Sequence, residues 1–447
     1  MKQLTEEQDL ALQKLEDFIY NKDPVICLEG SAGVGKTFVL NEYIQFLDSN
    51  DINFVLCAPT HKAKLVMEEV TGYGATTLHK LLSLAPNIEI FNLDYRDLKF
   101  LSTGFDEVPS KGIIIVDEAS MITDELYNLL LDYSKQKNSK LCFIGDLAQL
   151  QGVNNGGTSL AFKCPNKITL TQIHRQSKDN LLLPVLTKLR DNPIKTFKPI
   201  ENYLYTYNNA KDFMLEAAKH FQYAIQNKNT DYVKLVAYTN ARVKALNTCM
   251  RKLLWKDDQE YHPYEFLIGY ENFEYNKNMF YNSLDYLVLD KPKRIRKYIP
   301  NFMNVYGYEL CLYDRVYKQA NSIFILDRNT DSDIISNLAG TIEDLRLTAL
   351  ELKISGNRQK ANRMWRKYFE TINSFASPFD LMFDNRVVKK KTFDYGYAST
   401  THKQQGSSIN TVFVDMNNLM SCRNREELRQ LQYVALSRTK TNVHLLI

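Results

Sequence analysis

Gly30-Ser31-Ala32-Gly33-Val34-Gly35-Lys36-Thr37 follows the apolar run Val25-Ile26-Cys27-Leu28-Glu29 and precedes Phe38 to Leu47, where apolar residues recur at helical spacing. The octet fits G-x-x-x-x-G-K-[ST], a phosphate-cradling loop set between a buried strand and a helix. Its glycines let the backbone wrap closely around phosphate oxygens, while the amides and the helix N-terminus face the negative charge. Lys36 is placed to reach β- and γ-phosphates, and Thr37 to hold Mg²⁺. The bland alternative is a Gly-rich turn with a chance lysine, and the flanking strand and helix argue against it.

Moving outward, Gly112-Ile113-Ile114-Ile115-Val116 carries four apolar residues in a row, as a parallel strand buried on both faces requires. It delivers Asp117 and Glu118 to its C-terminal end. Asp117 can bind Mg²⁺, and Glu118 can orient and deprotonate an attacking water. An acidic pair can also simply open a helix. With a phosphate loop about eighty residues upstream, the catalytic reading is the stronger.

Other strand ends carry polar steps. Asn53 to Ala58 ends at Pro59-Thr60-His61-Lys62, and Thr76-Thr77-Leu78-His79-Lys80 precedes an apolar pair. Loops at strand C-termini are where open α/β sheets bind ligands, and these could contact a phosphodiester or merely be solvated turns. Lys140 to Asp146 is a further strand, with Gln149 where a γ-phosphate sensor would be useful. Arg175 follows Leu170-Thr171-Gln172-Ile173-His174; an arginine there can act as a finger on phosphate, but alone its default reading is a surface salt bridge. Upstream, Thr5 and Gln8 have the spacing of a helix cap, and the Gln8 amide could read an adenine edge. The stretch 83–110 is expected to be an inserted β-hairpin with Phe91, Tyr95 and Phe100 near its tip.

The chain has 447 residues, which implies two to four domains. Its hydrophobic content of 44% is ordinary for a soluble protein, with no apolar run of membrane-spanning length and no apolar signal core near Met1. The seven scattered cysteines suit reduced thiols, so a cytoplasmic location is expected, without zinc or a disulfide framework. A net charge of +4 permits nucleic-acid binding without arguing for it. Abundant Lys, Asn and Tyr with little Gly hint at an AT-rich, viral genome.

Lys234 to Tyr238, followed by Thr239-Asn240, restarts the strand–loop–helix pattern without a second phosphate loop. From about Trp255 to Lys391 alternating Tyr- and Phe-rich runs and charged helices suggest a separate insertion. Its basic runs, Lys291 to Lys297 and Lys389 to Lys391, could touch phosphates, with solvated positive surface the stronger reading. The α/β pattern returns at Ser399-Thr400-Thr401-His402-Lys403-Gln404-Gln405-Gly406. Strand Thr411–Asp415, a helix from Arg425 to Tyr433, Val434 to Arg438 and a last strand from Asn442 complete it.

Taken in order, the blocks at 30–37, 58–61, 117–120, 145–150, 400–406 and 434–438 make the chain resemble the superfamily 1 group B helicases, in their Dda-like and RecD-like branch. The resemblance implies two RecA-like P-loop lobes in tandem, an α/β fold. A small β-hairpin insertion interrupts the first, and a β-barrel-like and helical insertion the second. The boundaries expected are 1–180 for the first lobe, 181–254 and 392–447 for the second, and 255–391 for the insertion.

The resemblance also implies ATP and Mg²⁺ as cofactors. Gln8 would read adenine, Gly30 to Thr37 would hold phosphates with Gly406 nearby, and Thr37 and Asp117 would hold the metal. Glu118 would be the base, Gln149 the coupling residue, and Arg175 and Arg438 the fingers. Pro59, Thr60, His61, Lys62, Thr77, His79, Phe91, Tyr95, Asn240, Thr400, His402 and Lys403 would line the path of single-stranded DNA. The implied activity is 5′-to-3′ translocation and duplex unwinding by a monomer acting at single-strand/duplex junctions in replication, repair or recombination. A single-strand-binding protein or replisome component would be its companion. The alternatives are an RNA helicase or remodeller with the same motor, or a non-catalytic scaffold. One departure touches sugar selectivity: Ser408 stands where many superfamily 1 relatives carry Glu.

Overall fold

The computed structural model describes residues 4–97, 99–102, 111–152, 158–172 and 182–447. Its first sheet has six strands in the order Ala75–Thr77, Phe54–Ala58, Ile113–Val116, Lys140–Gly145, Val25–Gly30 and Lys167–Leu170, all parallel. Parallel strands need helices on both faces, and the alternation along Val25–Gly30 supplies them. Ile26 and Leu28 pack with Leu15 and Phe18 of helix Glu6–Tyr20 and Val39 and Leu40 of helix Lys36–Ser49. Val25 and Cys27 pack instead with Leu130 and Tyr133 of helix Asp124–Lys137.

Register decides where the site forms. Cys27, Phe143, Val116 and Cys57 stand abreast on neighbouring strands. The chain therefore leaves the sheet at adjacent points, at Gly30, Gly145, Asp117 and Pro59, all on the carboxyl edge where such sheets bind ligands.

The second sheet is also parallel, in the order Ala398–Thr400, Val233–Ala237, Ile409–Asp415, Thr439–Leu446 and Leu204–Tyr207. The edge strand Leu204–Tyr207 is too short for its alternation to stand out in the sequence. Helix Arg425–Ser437 runs past its expected end at Tyr433, because Val434, Ala435 and Leu436 are all buried and continue the packing. Arg438 is thereby the cap between this helix and the last strand.

Between these strands the chain builds an antiparallel sheet in the order Lys293–Tyr298, Asn304–Asp314, Asp285–Val288, Phe266–Gly269 and Phe393–Tyr395, with Gln319–Leu326 added to the long strand. Helices Ser332–Ile354 and Arg358–Ile372 pack on one another and share its core through Leu338, Ile342 and Tyr368.

Among the described residues, the stretch expected as a hairpin pairs only Leu84–Pro86 with Phe100–Ser102. The alternating Ile88 to Phe91 is not a strand. The carbonyls of Ile88, Ile90 and Phe91 accept instead from the guanidinium of Arg346, which is buried in helix Ser332–Ile354. Residues 98 and 103–110 of this stretch lie outside the described residues.

Candidate active site

Gly33 and Gly35 adopt φ of 91° and 90°, the left-handed backbone that lets amides converge on an anion. A Cβ at Gly30 would lie 2.6 Å from Val34 Cγ2, so the strand-to-loop turn has no room for a side chain. Lys36 Nζ donates to the carbonyls of Gly30 (2.6 Å) and Ser31 (3.1 Å), which hold the ammonium inside the loop. Thr37 sits exposed in the first turn of helix Lys36–Ser49.

Gln8 is 4% exposed, and its amide is engaged by the protein: Nε2 donates to the Val34 carbonyl (3.0 Å) and Oε1 accepts from Thr5 N (3.2 Å). It braces the phosphate loop against the cap of helix Glu6–Tyr20. One N–H and one oxygen lone pair remain for a base.

Asp117 accepts from the amide of Glu118 through Oδ1 at 2.8 Å. Burial, followed by the adjacent Glu118 carboxylate, pushes the Asp117 carboxyl up to about 6, against the pull of Lys36 and Arg438. A divalent cation would relieve that crowding of negative charge. Glu118 adopts φ 51° and ψ 44°, left-handed backbone for a non-glycine residue, at the position meant to present the base.

The second lobe closes over this edge. Arg438 Nη1 lies 3.8 Å from Glu118 Oε1, and Nη2 donates to Gln149 Oε1. Gln405 Nε2 donates to the Leu150 carbonyl at 2.9 Å. Tyr433 donates to Asp146 Oδ2 at 2.7 Å and accepts from the amide of Ala32, within the phosphate loop, at 3.0 Å. Gly406, at φ 71°, packs against Ala63 of the first lobe. Ser31 Oγ and Arg438 Nε are buried without a hydrogen-bond partner among the described residues, an acceptor–donor and a charged donor left over beside the loop. This polarity fits a nucleotide phosphate. Arg175 lies outside the described residues.

Tyr433 and Gln405 were missed by sequence reasoning. Gln405 falls inside the block at 400–406 and Tyr433 ends the expected helix from Arg425, one residue before the block at 434–438; nothing in one sequence says which member of such a stretch reaches across a cleft.

The residues expected along the nucleic-acid path divide in two. His61 stacks on Tyr281 (4.1 Å between centroids), and burial, then Lys64, pushes its imidazole down to about 4. His79 meets Phe100 edge-on at 5.0 Å, and His402 lies 6.5 Å from Tyr238. Pro59 ends its strand at the carboxyl edge, and Asn240 opens helix Asn240–Leu254, exposed. Thr60, Thr77 and Thr400 accept from the amides of Ala63, Lys80 and Lys403, so their hydroxyls serve turns and caps.

Two expectations are corrected. Lys62 is not free for phosphate: it points across to Asp285, 3.8 Å away, which Lys234 also contacts at 2.6 Å. Tyr95 is not at an exposed tip: its hydroxyl meets that of the fully buried Tyr368. Each loses to a protein partner that the inserted segment brings in. Lys403 is half-engaged likewise, donating to Asn282 (2.8 Å) over the Tyr270 ring, and burial pushes it down to about 7. Phe91 remains 48% exposed.

Two parallel sheets, one with a phosphate loop and acidic pair and the other with an arginine laid across them, define two RecA-like lobes in tandem with a candidate nucleotide site between them. Residues 3–204 match the AAA domain model, and residues 395–446 match the UvrD-like helicase C-terminal domain model. The chain is 24% identical to an uncharacterized protein of Acanthamoeba polyphaga mimivirus, over 98% of this chain and 99% of that one. It is 26% identical to the ATP-dependent DNA helicase dda of Enterobacteria phage T4, over 60% of this chain and 61% of that protein. It is 31% identical to the ATP-dependent RecD2 DNA helicase of Deinococcus radiodurans, over 41% and 23%. The matches to the two named helicases thus span less than two thirds of their lengths. A structure of Pif1 helicases at forked double-stranded DNA aligns over 99% of this chain and 92% of that one with a TM-score of 0.53 at 15% identity. The Pif1 helicase of Candida albicans aligns over 100% and 94% with 0.51 at 16%. These two share the fold. In its domain matches and in these relatives the chain is similar to the superfamily 1 group B helicases of the Dda and RecD2 kind.

Proposed function

We propose that this chain is an ATP-dependent DNA helicase that moves 5′ to 3′ along single-stranded DNA and parts the duplex ahead of it. The observation that carries the reading is Arg438, which comes from the second lobe and touches both Glu118 and Gln149 of the first. A guanidinium so placed makes its contacts only when the cleft is shut. Nucleotide then favours the closed state by differential binding, and hydrolysis removes that preference. If the lobes grip the strand differently in the two states, each cycle advances the protein.

The amides of Gly33 to Thr37 and Lys36 would hold the phosphates, and Thr37 and Asp117 the Mg²⁺, which neutralises charge on the β- and γ-oxygens when bound. Glu118 would take the proton of the attacking water, with Gln149, Arg438 and Arg175 sensing and stabilising the γ-phosphoryl group. Support for DNA comes from the dda and RecD2 relatives, both named as DNA helicases; the direction rests on family resemblance. A monomer working in the cytoplasm with a single-strand-binding protein or replisome component completes the proposal.

Strand displacement on 5′- and 3′-tailed duplexes tests it, beside ATPase rates with single-stranded DNA or RNA. Unwinding of the 5′-tailed substrate and stimulation by DNA are expected. Stimulation by RNA alone would move the activity to RNA, and no stimulation by either polymer would discard the motor.

A further inference from the structure

Helix Arg358–Ile372 has one face in the core, through Ala361, Tyr368 and Thr371, and leaves the other to solvent. Lys360, Arg363, Arg366 and Lys367 fall within about 120° of arc on that outer side, taking 100° per residue, with Glu370 the one acidic residue among them. Arg358, Lys360, Arg363 and Arg366 are exposed, Lys367 is half-buried, and none of the five has a carboxylate within salt-bridge distance among the described residues. Some cations of the insertion are paired, Lys353 with Glu89, Arg386 with Glu343 and Lys391 with Asp394; what sets this helix apart is that its unpaired cations share one face.

The helix is rigidly placed. It packs along Ser332–Ile354, its Lys367 carbonyl accepts from Asn301, and its Tyr368 hydroxyl meets Tyr95 of the inserted hairpin segment. The same hairpin segment is bound by Arg346, Lys353 and the amide of Val387. The basic face therefore lies on the body that holds the hairpin.

We propose that this outer face binds the phosphate backbone of duplex DNA next to the hairpin. The inference rests on the helicase reading above and adds a second DNA contact to it. Charge selects a polyanion. The arc from Lys360 to Lys367 covers about 10 Å of helix, the axial rise of about three base pairs. It carries no aromatic ring, Trp365 and Phe369 lying outside it, so it offers phosphate contacts without the stacking platforms that bind unpaired bases.

The test compares a 5′-tailed duplex with the tail alone, by fluorescence anisotropy across a salt series. The variant Lys360→Gln/Arg363→Gln/Arg366→Gln/Lys367→Gln should bind the tailed duplex about tenfold more weakly, with its log–log salt slope shallower by about 3. Tail affinity and DNA-stimulated ATPase should not change. Arg363→Lys/Arg366→Lys should keep duplex affinity; an equal loss there would show that charge is not the cause and overturn the proposal. So would unchanged affinity for the tailed duplex in the four-site variant, the result expected if the face is merely solvated or fits an acidic protein segment. Loss of tail and duplex binding alike would also overturn it. Failure of the helicase reading shows separately, as absent DNA stimulation in the unaltered protein.

Discussion

Tyr433 donates its hydroxyl to Asp146 Oδ2 at 2.7 Å, from a helix of the second lobe to a carboxylate at a strand end of the first. The Tyr433 hydroxyl oxygen also accepts the Ala32 amide of the phosphate loop, so the loop, the Asp146 turn and the second lobe meet at that one atom. Tyr433→Phe keeps the ring and removes the bridge. Leaving buried groups unpaired costs about 1–3 kcal/mol. We expect DNA-stimulated turnover to fall about tenfold, with circular dichroism unchanged. Unaltered steady-state ATPase kinetics would show that the bridge plays no part in coupling the lobes.

Arg438 reaches two first-lobe residues at once, which a fork-shaped guanidinium can do and an ammonium cannot. Arg438→Ala should lower kcat by about 10³ or more, the range for arginine fingers. Arg438→Lys should recover little of it. Full recovery in single-turnover hydrolysis would mean that only the charge matters.

Lys36→Ala should abolish turnover by removing the cation that the loop carbonyls hold. Glu118→Gln should also abolish it while leaving nucleotide binding intact. Binding is read with a fluorescent nucleotide and hydrolysis by phosphate release; near-normal release from Glu118→Gln would remove Glu118 as the base.

Phe91 is exposed on the hairpin segment, whereas Tyr95 is half-buried with its hydroxyl against that of Tyr368. Phe91→Ala should impair unwinding more than translocation, since a base stack contributes about 1–3 kcal/mol. Tyr95→Phe should instead loosen the segment, seen as faster amide exchange over 88–96. Equal losses of unwinding and translocation in Phe91→Ala would mean the segment does not divide the strands.

His444 is buried on Phe413 (4.2 Å) and bonded to the Tyr207 hydroxyl, with His220 and Glu216 nearby. Burial, then His220, pushes its imidazole from 6.5 down to about 4. Between those pH values the unfolded chain takes up a proton that the native state refuses, so stability should fall as pH drops from 6.5 to 4. A Tm series should show that slope, and His444→Phe should make it shallower, His61, also pushed down to about 4, supplying part of the rest; an identical slope would place the acid sensitivity elsewhere.

Local chemistry was legible in the sequence because it is written in contiguous residues. The octet at 30–37 needs its own glycines and lysine, and a run such as Ile113–Val116 can only be a strand covered on both sides, so the α/β class and the Asp117–Glu118 pair followed without coordinates. What tertiary structure decided is which side chains meet across hundreds of residues. Tyr433 and Gln405 reach the first lobe only because the second folds over it, and Arg438 faces Glu118 because its helix runs to Ser437. Lys62 and Tyr95 read as surface residues until the inserted segment supplied Asp285 and Tyr368. A single chain records which groups are able to bind. Only the packing of distant segments settles whether water, a ligand or another side chain is the partner each one finds.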